Sequence, residues 1–176
     1  MLYEFKYGKW YRVVSMTQSS DHAPLIIEHP RIGYSLNPNH RNTESGIFIN
    51  SLGFRDDEIP KNFKESTRVL VISDSCGFGW HRGIFTDQEN TFPALLEKKL
   101  SSHLPGNFVV LNGSVPGYSS FEVLQTFREI RGFFEPHYLV VYVGFNDLNI
   151  AVAMGRKGNQ NQKRGVKDNP IVVLEM

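Results

Sequence analysis

Three short segments of the chain are continuously apolar, and each ends in a glycine-containing polar turn. Val69-Leu70-Val71-Ile72 is followed by Gly77 and Gly79, Phe108-Val109-Val110-Leu111 by a Gly/Pro/Ser turn reaching Ser119, and the run Tyr138 to Val143 by Gly144. Unbroken, β-branched runs of this length predict strands buried on both faces. Between them, Phe92, Leu95, Leu96 and Leu100 recur at helical spacing over Thr91 to His103, with Pro93 tolerated in the first turn. A second helix is marked at its start by the capping-box spacing of Ser119 and Glu122, with Phe121, Leu124 and Phe127 as its apolar stripe. Strand, helix, strand, helix, strand with short joints predicts a parallel sheet covered by helices on both faces.

The flanks read differently. Residues 15–46 are rich in Ser, Asn, Pro, His and Thr without periodicity, which predicts an irregular surface arm, with Leu25 to Ile27 and Ile47 to Ile49 as short edge strands. Residues 155–168 are polar and basic, a composition suited to a loop or tail. Pro170 and Ile171-Val172-Val173-Leu174 predict the opening of a fourth strand, beyond which the domain reads as incomplete at its C-terminal end. The expected division is an irregular arm over 1–65, a core over 66–154 and a polar basic loop and tail over 155–176. With later strands missing, the run Tyr138 to Val143 is expected to present an open sheet edge.

Composition narrows the function little. With 176 residues, 40% of them hydrophobic, the chain can build one domain. Nineteen Lys plus Arg balance eighteen Asp plus Glu, so a net charge of +1 supplies no field for nucleic acid or an anionic membrane. Cys76 is the only cysteine, which excludes an intramolecular disulfide and a multi-cysteine metal site, and beside a buried strand it reads as a small core residue. No segment approaches the roughly 20 apolar residues that span a bilayer. Residues 1–14 lack the apolar stretch of a secretory signal, so a cytoplasmic location is the default expectation.

In an open parallel sheet, ligands bind beyond the carboxyl ends of the strands. There the chain has Ser73-Asp74-Ser75-Cys76-Gly77-Phe78-Gly79, then Asn112 through Ser119, then Gly144-Phe145-Asn146-Asp147. If the first strand lies between the other two, strands about 4.8 Å apart bring the three loop tips within side-chain reach. A hydroxyl at Ser75, a bare backbone at Gly117 and a carboxamide at Asn146 then face one crevice. Fixed N–H donors in such a crevice stabilise the oxyanion of an ester's tetrahedral intermediate. Asp74 and Asp147 read as carboxylates holding their loops by accepting backbone N–H bonds.

Singly these residues are ordinary turn and capping types; their order along the chain is what resembles a family. The three segments are similar to the first three blocks of SGNH (GDSL-type) hydrolases, Gly-Asp-Ser, a loop glycine and Gly-x-Asn-Asp. Asn50-Ser51-Leu52-Gly53-Phe54-Arg55 also resembles the segment preceding the nucleophile in bacterial members. The likeness runs from about Gly33 to Asn149. It implies a three-layer α/β/α, flavodoxin-like fold and an esterase, lipase or deacetylase acting on small-molecule, lipid or carbohydrate esters, without cofactor or metal. By this resemblance Ser75 is the nucleophile, and Ser75, Gly117 and Asn146 form the oxyanion hole.

Two departures stand out: Ser73 replaces the family's glycine, and no Asp-x-x-His block follows Asn146. Among the histidines, His137 precedes the third strand, roughly 20 Å from the crevice at ~3.3 Å per residue. His81 follows Ser75 closely, and His22, His29 and His40 fall in the arm. The rival expectation is a non-catalytic remnant or ligand-binding module that keeps the crevice and lacks the base. Nucleotide and dinucleotide phosphate loops fail at Arg82 and for want of Gly-Lys-Ser/Thr, and the nucleophile elbow of α/β-hydrolases fails at Ser73.

Overall fold

The computed structural model describes residues 4–6, 9–11, 23–81, 84–148 and 172–175. Among the described residues, three small antiparallel pairs come first in the chain and a fourth follows the first helix. Strands β1 (Glu4–Lys6) and β2 (Lys9–Tyr11) pair, as do β3 (Ile26–His29) with β4 (Gly33–Leu36) and β5 (Arg41–Asn42) with β6 (Ile47–Phe48). Strand β7 (Thr67–Ser73) leads into a single helical turn, α1 (Ser75–Phe78), followed by the paired β8 (Trp80–His81) and β9 (Ile84–Phe85). Then come α2 (Phe92–His103), β10 (Phe108–Asn112), α3 (Ser120–Phe134), β11 (Tyr138–Tyr142) and β12 (Val172–Glu175).

The central sheet has the order β10-β7-β11-β12. Its first three strands are parallel, with Val110 opposite Val69 and Val140 opposite Val71, so the first apolar run lies between the other two, as the pattern predicted. Strand β12 joins β11 antiparallel, Val173 opposite Val140. The open edge expected at Tyr138 to Val143 is therefore covered.

Alternation along the strands separates two layers of core. Leu70, Ile72, Leu111 and Leu139 face α3, whose Val123, Ile130 and Phe134 are buried against them. Val69, Val71, Val110 and Val140 face the other way, toward Leu96 and Leu100 of α2. This is the expected α/β arrangement of a parallel sheet with helices on both faces.

The stripe expected on α3 is corrected in part: Phe127 packs against the core, but its other two members do not. Phe121 and Leu124 are 54% and 45% exposed, and the buried face is Val123, Thr126, Ile130 and Phe134. Both sets obey a helical period, and packing against the sheet selects between them. The capping box fixes only where the helix begins: Ser119 N and Oγ both donate to Glu122 Oε2, at 2.8 and 2.6 Å, which locks the first turn.

The expected surface arm is also not a surface feature. Leu25, Ile32, Tyr34, Leu36, Ile47 and Ile49, all under 9% exposed, share one cluster with Leu70, Ile72 and Phe134. Short hairpins insert single apolar residues rather than a periodic face, so the pattern is silent about their burial. The polar stretch 155–168 lies outside the described residues.

The β10 edge is closed by carboxylates. Gly113 N donates inward to Val71 O, so the alternate amides of Val110 and Asn112 point outward. Glu97 Oε2 accepts from Val110 N at 2.6 Å and Asp56 Oδ2 from Asn112 N at 3.0 Å. Side-chain acceptors on these outward amides deny that edge to another strand.

Candidate active site

Ser75 begins α1 at the carboxyl end of β7, where the chain must turn at once. Asp74 caps that turn, its Oδ1 accepting from Cys76 N at 2.9 Å. Ser73 fits in the glycine position because the crowding is relieved elsewhere. A Cβ on Gly77 would stand 2.7 Å from Ser73 Cβ and 2.3 Å from Ser114 Oγ, whereas the bare Gly77 leaves that space open. Ser73 Oγ in turn accepts from Gly77 N at 3.3 Å. Ser75 itself is half-buried.

The second loop is placed by β10 and by the N-terminal hairpin. Val115 N donates to Ser73 O at 3.1 Å, which ties the loop's start to the Ser75 turn. At its tip, Gly117 is exposed with φ +84, and a Cβ there would lie 2.8 Å from Tyr34 Oη. Both the left-handed backbone and the approach of Tyr34 therefore require glycine. Tyr34 Oη donates to Pro116 O at 3.0 Å, and Tyr118 Oη to Tyr34 O at 2.9 Å, so the loop and β4 clasp each other on both sides of Gly117.

The third loop closes the rim. Asn146, half-buried, donates from Nδ2 to Tyr118 O at 2.8 Å and, at a longer 3.5 Å, toward Asp74 Oδ2. Asp147 accepts from Ser120 N, with 3.2 and 3.0 Å to its two oxygens. The three loop tips are thus joined by hydrogen bonds: Ser75's turn to Asn146 through Asp74, and Gly117's loop to Asn146 through Tyr118. Asp74 and Asp147 hold backbone amides, as their positions implied.

Cys76 is a correction. It is exposed rather than in the core, because α1 presents its second residue outward. Partial burial of the sulfur, reinforced by the Asp74 carboxylate, pushes its thiol up to about 11, so it is a neutral thiol and a poor nucleophile at neutral pH.

Three of the described histidines are engaged by partners of their own. His137 Nδ1 accepts from Arg68 N at 3.0 Å, which pins it to the amino end of β7. His29 Nε2 lies 3.3 Å from Glu129 Oε2 on α3. His103 closes α2 beside Ser102, His40 is buried between the two N-terminal hairpins, and His81 is exposed on β8. His22 lies outside the described residues. Among the described residues no group of three or more His, Cys, Asp or Glu is arranged to hold a metal ion, and no helix is long and apolar enough to cross a membrane.

Sequence reasoning missed Tyr34, Asn112 and Arg55 as supports of the rim. Asn112 carried a signal: a carboxamide ending an apolar strand is a buried polar group that needs partners. It finds them in Gly77 O, to which Nδ2 donates at 3.2 Å, and Ser114 N, from which Oδ1 accepts at 3.1 Å.

Fold and rim together define an α/β protein whose parallel strands gather a serine, a glycine loop and an asparagine at one end. Among solved structures the chain is similar to AlinE4, an SGNH-hydrolase family esterase, at 29% identity and a TM-score of 0.43 over 53% of this chain and 49% of that one, and equally to a mutant of that esterase. It is also similar to the psychrotrophic esterase EstA from Pseudoalteromonas sp., in a structure inhibited by monoethylphosphonate, at 20% identity and a TM-score of 0.39 over 52% of this chain and 54% of that one. The chain spans about half the length of the solved structures it matches. No protein-family model matches it, and no curated protein matches it in sequence.

Proposed function

We propose that the chain carries the nucleophile and oxyanion hole of an SGNH-type serine ester hydrolase. Ser75 Oγ attacks the acyl carbon, and the developing oxyanion is received by the N–H groups of Ser75 and Gly117 and by Asn146 Nδ2. Expulsion of the alcohol leaves an acyl-serine, which water then hydrolyses. The substrate is an ester of a small molecule, with lipids and acylated carbohydrates as the classes the family resemblance implies.

One observation carries this reading: Asn146 Nδ2 bridges Tyr118 O and Asp74 Oδ2, the neighbours of Gly117 and Ser75. Of the two bonds, the one to Asp74 is long, at 3.5 Å. The hydrogen directed along it is the less firmly engaged of the two, and it is the one an oxyanion on that side can receive while Tyr118 keeps the other.

A serine hydroxyl becomes a useful nucleophile only beside a base. Among the described residues no histidine is tied to Ser75, and this favours a second reading, a crevice that binds a ligand without turning it over. A fluorophosphonate probe and a p-nitrophenyl ester separate the two. The hydrolase reading expects stoichiometric labelling at Ser75 and turnover that Ser75→Ala removes. Incomplete machinery leaves only about 10³–10⁴-fold acceleration over water, and turnover indifferent to Ser75→Ala, with no label, rejects the assignment.

A further inference from the structure

A helix of four residues cannot hold itself. Its closing carbonyls have no partners in the helix, and one isolated turn is unstable in water. Yet α1 must keep Ser75 at a fixed place on the rim. Gly79 N turns back to Cys76 O and Ser75 O. The remaining two carbonyls are taken by side chains from outside the turn: Asn112 Nδ2 donates to Gly77 O, and Arg55 Nη1 donates to Phe78 O.

Arg55 is an unusual residue to find there. It is 1% exposed, among the most buried large side chains of the protein. Its second fork nitrogen, Nη2, donates to Thr86 O just after β9. The guanidinium carbon stands 4.6 Å from the centre of the Phe78 ring, a cation-π distance. Burial pushes its pKa down to about 10, with Asp87 acting in the opposite sense, so it remains a cation at neutral pH. A cation is also the charge that suits the carboxyl end of a helix.

The preceding residues are built to deliver it. Asn50 Oδ1 accepts from Leu52 N and Phe54 N, both at 3.0 Å, and Asn50 Nδ2 donates to Asp57 O at 3.0 Å, so one side chain folds the whole loop. Gly53 turns that loop at φ +85. On the receiving side, Gly79 has φ +82, and a Cβ on it would come within 3.0 Å of Arg55 Nη1.

We infer that Arg55 is the positioning residue of the nucleophile turn, its forked guanidinium fastening the end of α1 to the loop after β9 so that Ser75 stays aligned with the rim. Ser75, Gly117 and Asn146 make the chemistry, and Arg55 acts through the turn without touching substrate. The inference rests on the proposed role of Ser75, but its structural half can be measured separately.

The decisive variant is Arg55→Lys, which keeps the charge and loses the fork. Two quantities are read on the full chain: the rate of fluorophosphonate labelling at Ser75, and amide hydrogen exchange at Phe78 and Gly79 relative to Leu70 to Ile72 in β7. The expected result is at least about tenfold slower labelling and about tenfold faster exchange confined to α1, equivalent to the loss of one charge-assisted hydrogen bond. Labelling and α1 exchange within twofold of the parent overturn the inference, as does exchange that rises equally in β7 and α1, the mark of a residue that serves only the core. If Arg55→Lys does not fold, Asn112→Asp replaces it; this change keeps the acceptor for Ser114 N and removes the donor to Gly77 O, and the same two readouts apply. A parent protein that takes no label refutes the nucleophile reading alone, and the exchange comparison then decides the positioning role.

Discussion

The two faces of the central sheet are built to different depths. On one, Leu70, Ile72, Leu111 and Leu139 meet α3 and the hairpins β3-β4 and β5-β6, and Phe134, Phe78 and Tyr118 are at most 1% exposed. On the other, Val69, Val71, Val110 and Val140 meet, among the described residues, the half-buried Leu96 and Leu100, while Phe92 and Leu95 of the same helix are more than 40% exposed. The deep face also anchors the candidate site. Phe78 closes the Ser75 turn and Tyr118 follows Gly117, so both loops are anchored by aromatic side chains sunk into the same core. A rim that must keep three groups in register is supported from the side with the most packing.

The sharpest way to break this comparison is to truncate one residue on each face. Phe134→Ala should cost about 3–5 kcal/mol of unfolding free energy in denaturant titrations, because the vacated space is fully enclosed. Leu100→Ala should cost about 1–2 kcal/mol, since a half-buried side chain leaves a dent open to water. Equal costs would mean that the faces are equally packed.

A second test uses the carboxylates on the β10 edge. Desolvation raises Asp56 to about 7 against an ordinary 3.8, opposed by the amides of Asn112 and Asp57, and desolvation also raises Glu97. A carboxyl whose folded pKa is raised binds its proton more tightly folded than unfolded, so it favours the fold at low pH. That stability should fall as pH rises from about 4 to about 7 and level off above. Allowing for solvent contact, the Asp56 contribution to this fall is about 2 kcal/mol. Asp56→Asn should flatten the profile of stability against pH, and an unchanged slope would remove Asp56 as its source.

The smallest expected effect probes the clasp between hairpin and loop. Tyr34→Phe deletes the bond to Pro116 O and should cost about 1 kcal/mol, with ester turnover falling as Gly117 loosens. Stability lost without any change in turnover would separate the hairpin from the site.

Legibility in the sequence followed physical cause closely. The three parallel strands were readable because burial on both faces leaves no polar position in Leu70-Val71-Ile72. The start of α3 was readable because a capping box is a local contact between Ser119 and Glu122. The face of α3 was not, since Phe121-Leu124-Phe127 and Val123-Thr126-Ile130 are equally periodic. Nor was the burial of residues 25–49, where each apolar side chain answers to a partner far along the chain. At the rim, Ser75, Gly117 and Asn146 were legible as residue types after strands. Their supports, Arg55, Tyr34 and Asn112, were not, although Arg55 stood in a segment whose Asn50 and Gly53 already signalled a tight turn.

What the chain's own pattern determined, then, was the three parallel strands, the two helices between them and the three loops that end the strands, because strand burial and helix capping act between near neighbours. Tertiary structure alone decided which way α3 faces, that the N-terminal hairpins belong to the core, and that a buried guanidinium secures a one-turn helix. Those outcomes depend on hydrogen bonds and contacts between residues tens of positions apart, such as Arg55 with Phe78 and Tyr34 with Pro116, and no local preference encodes them.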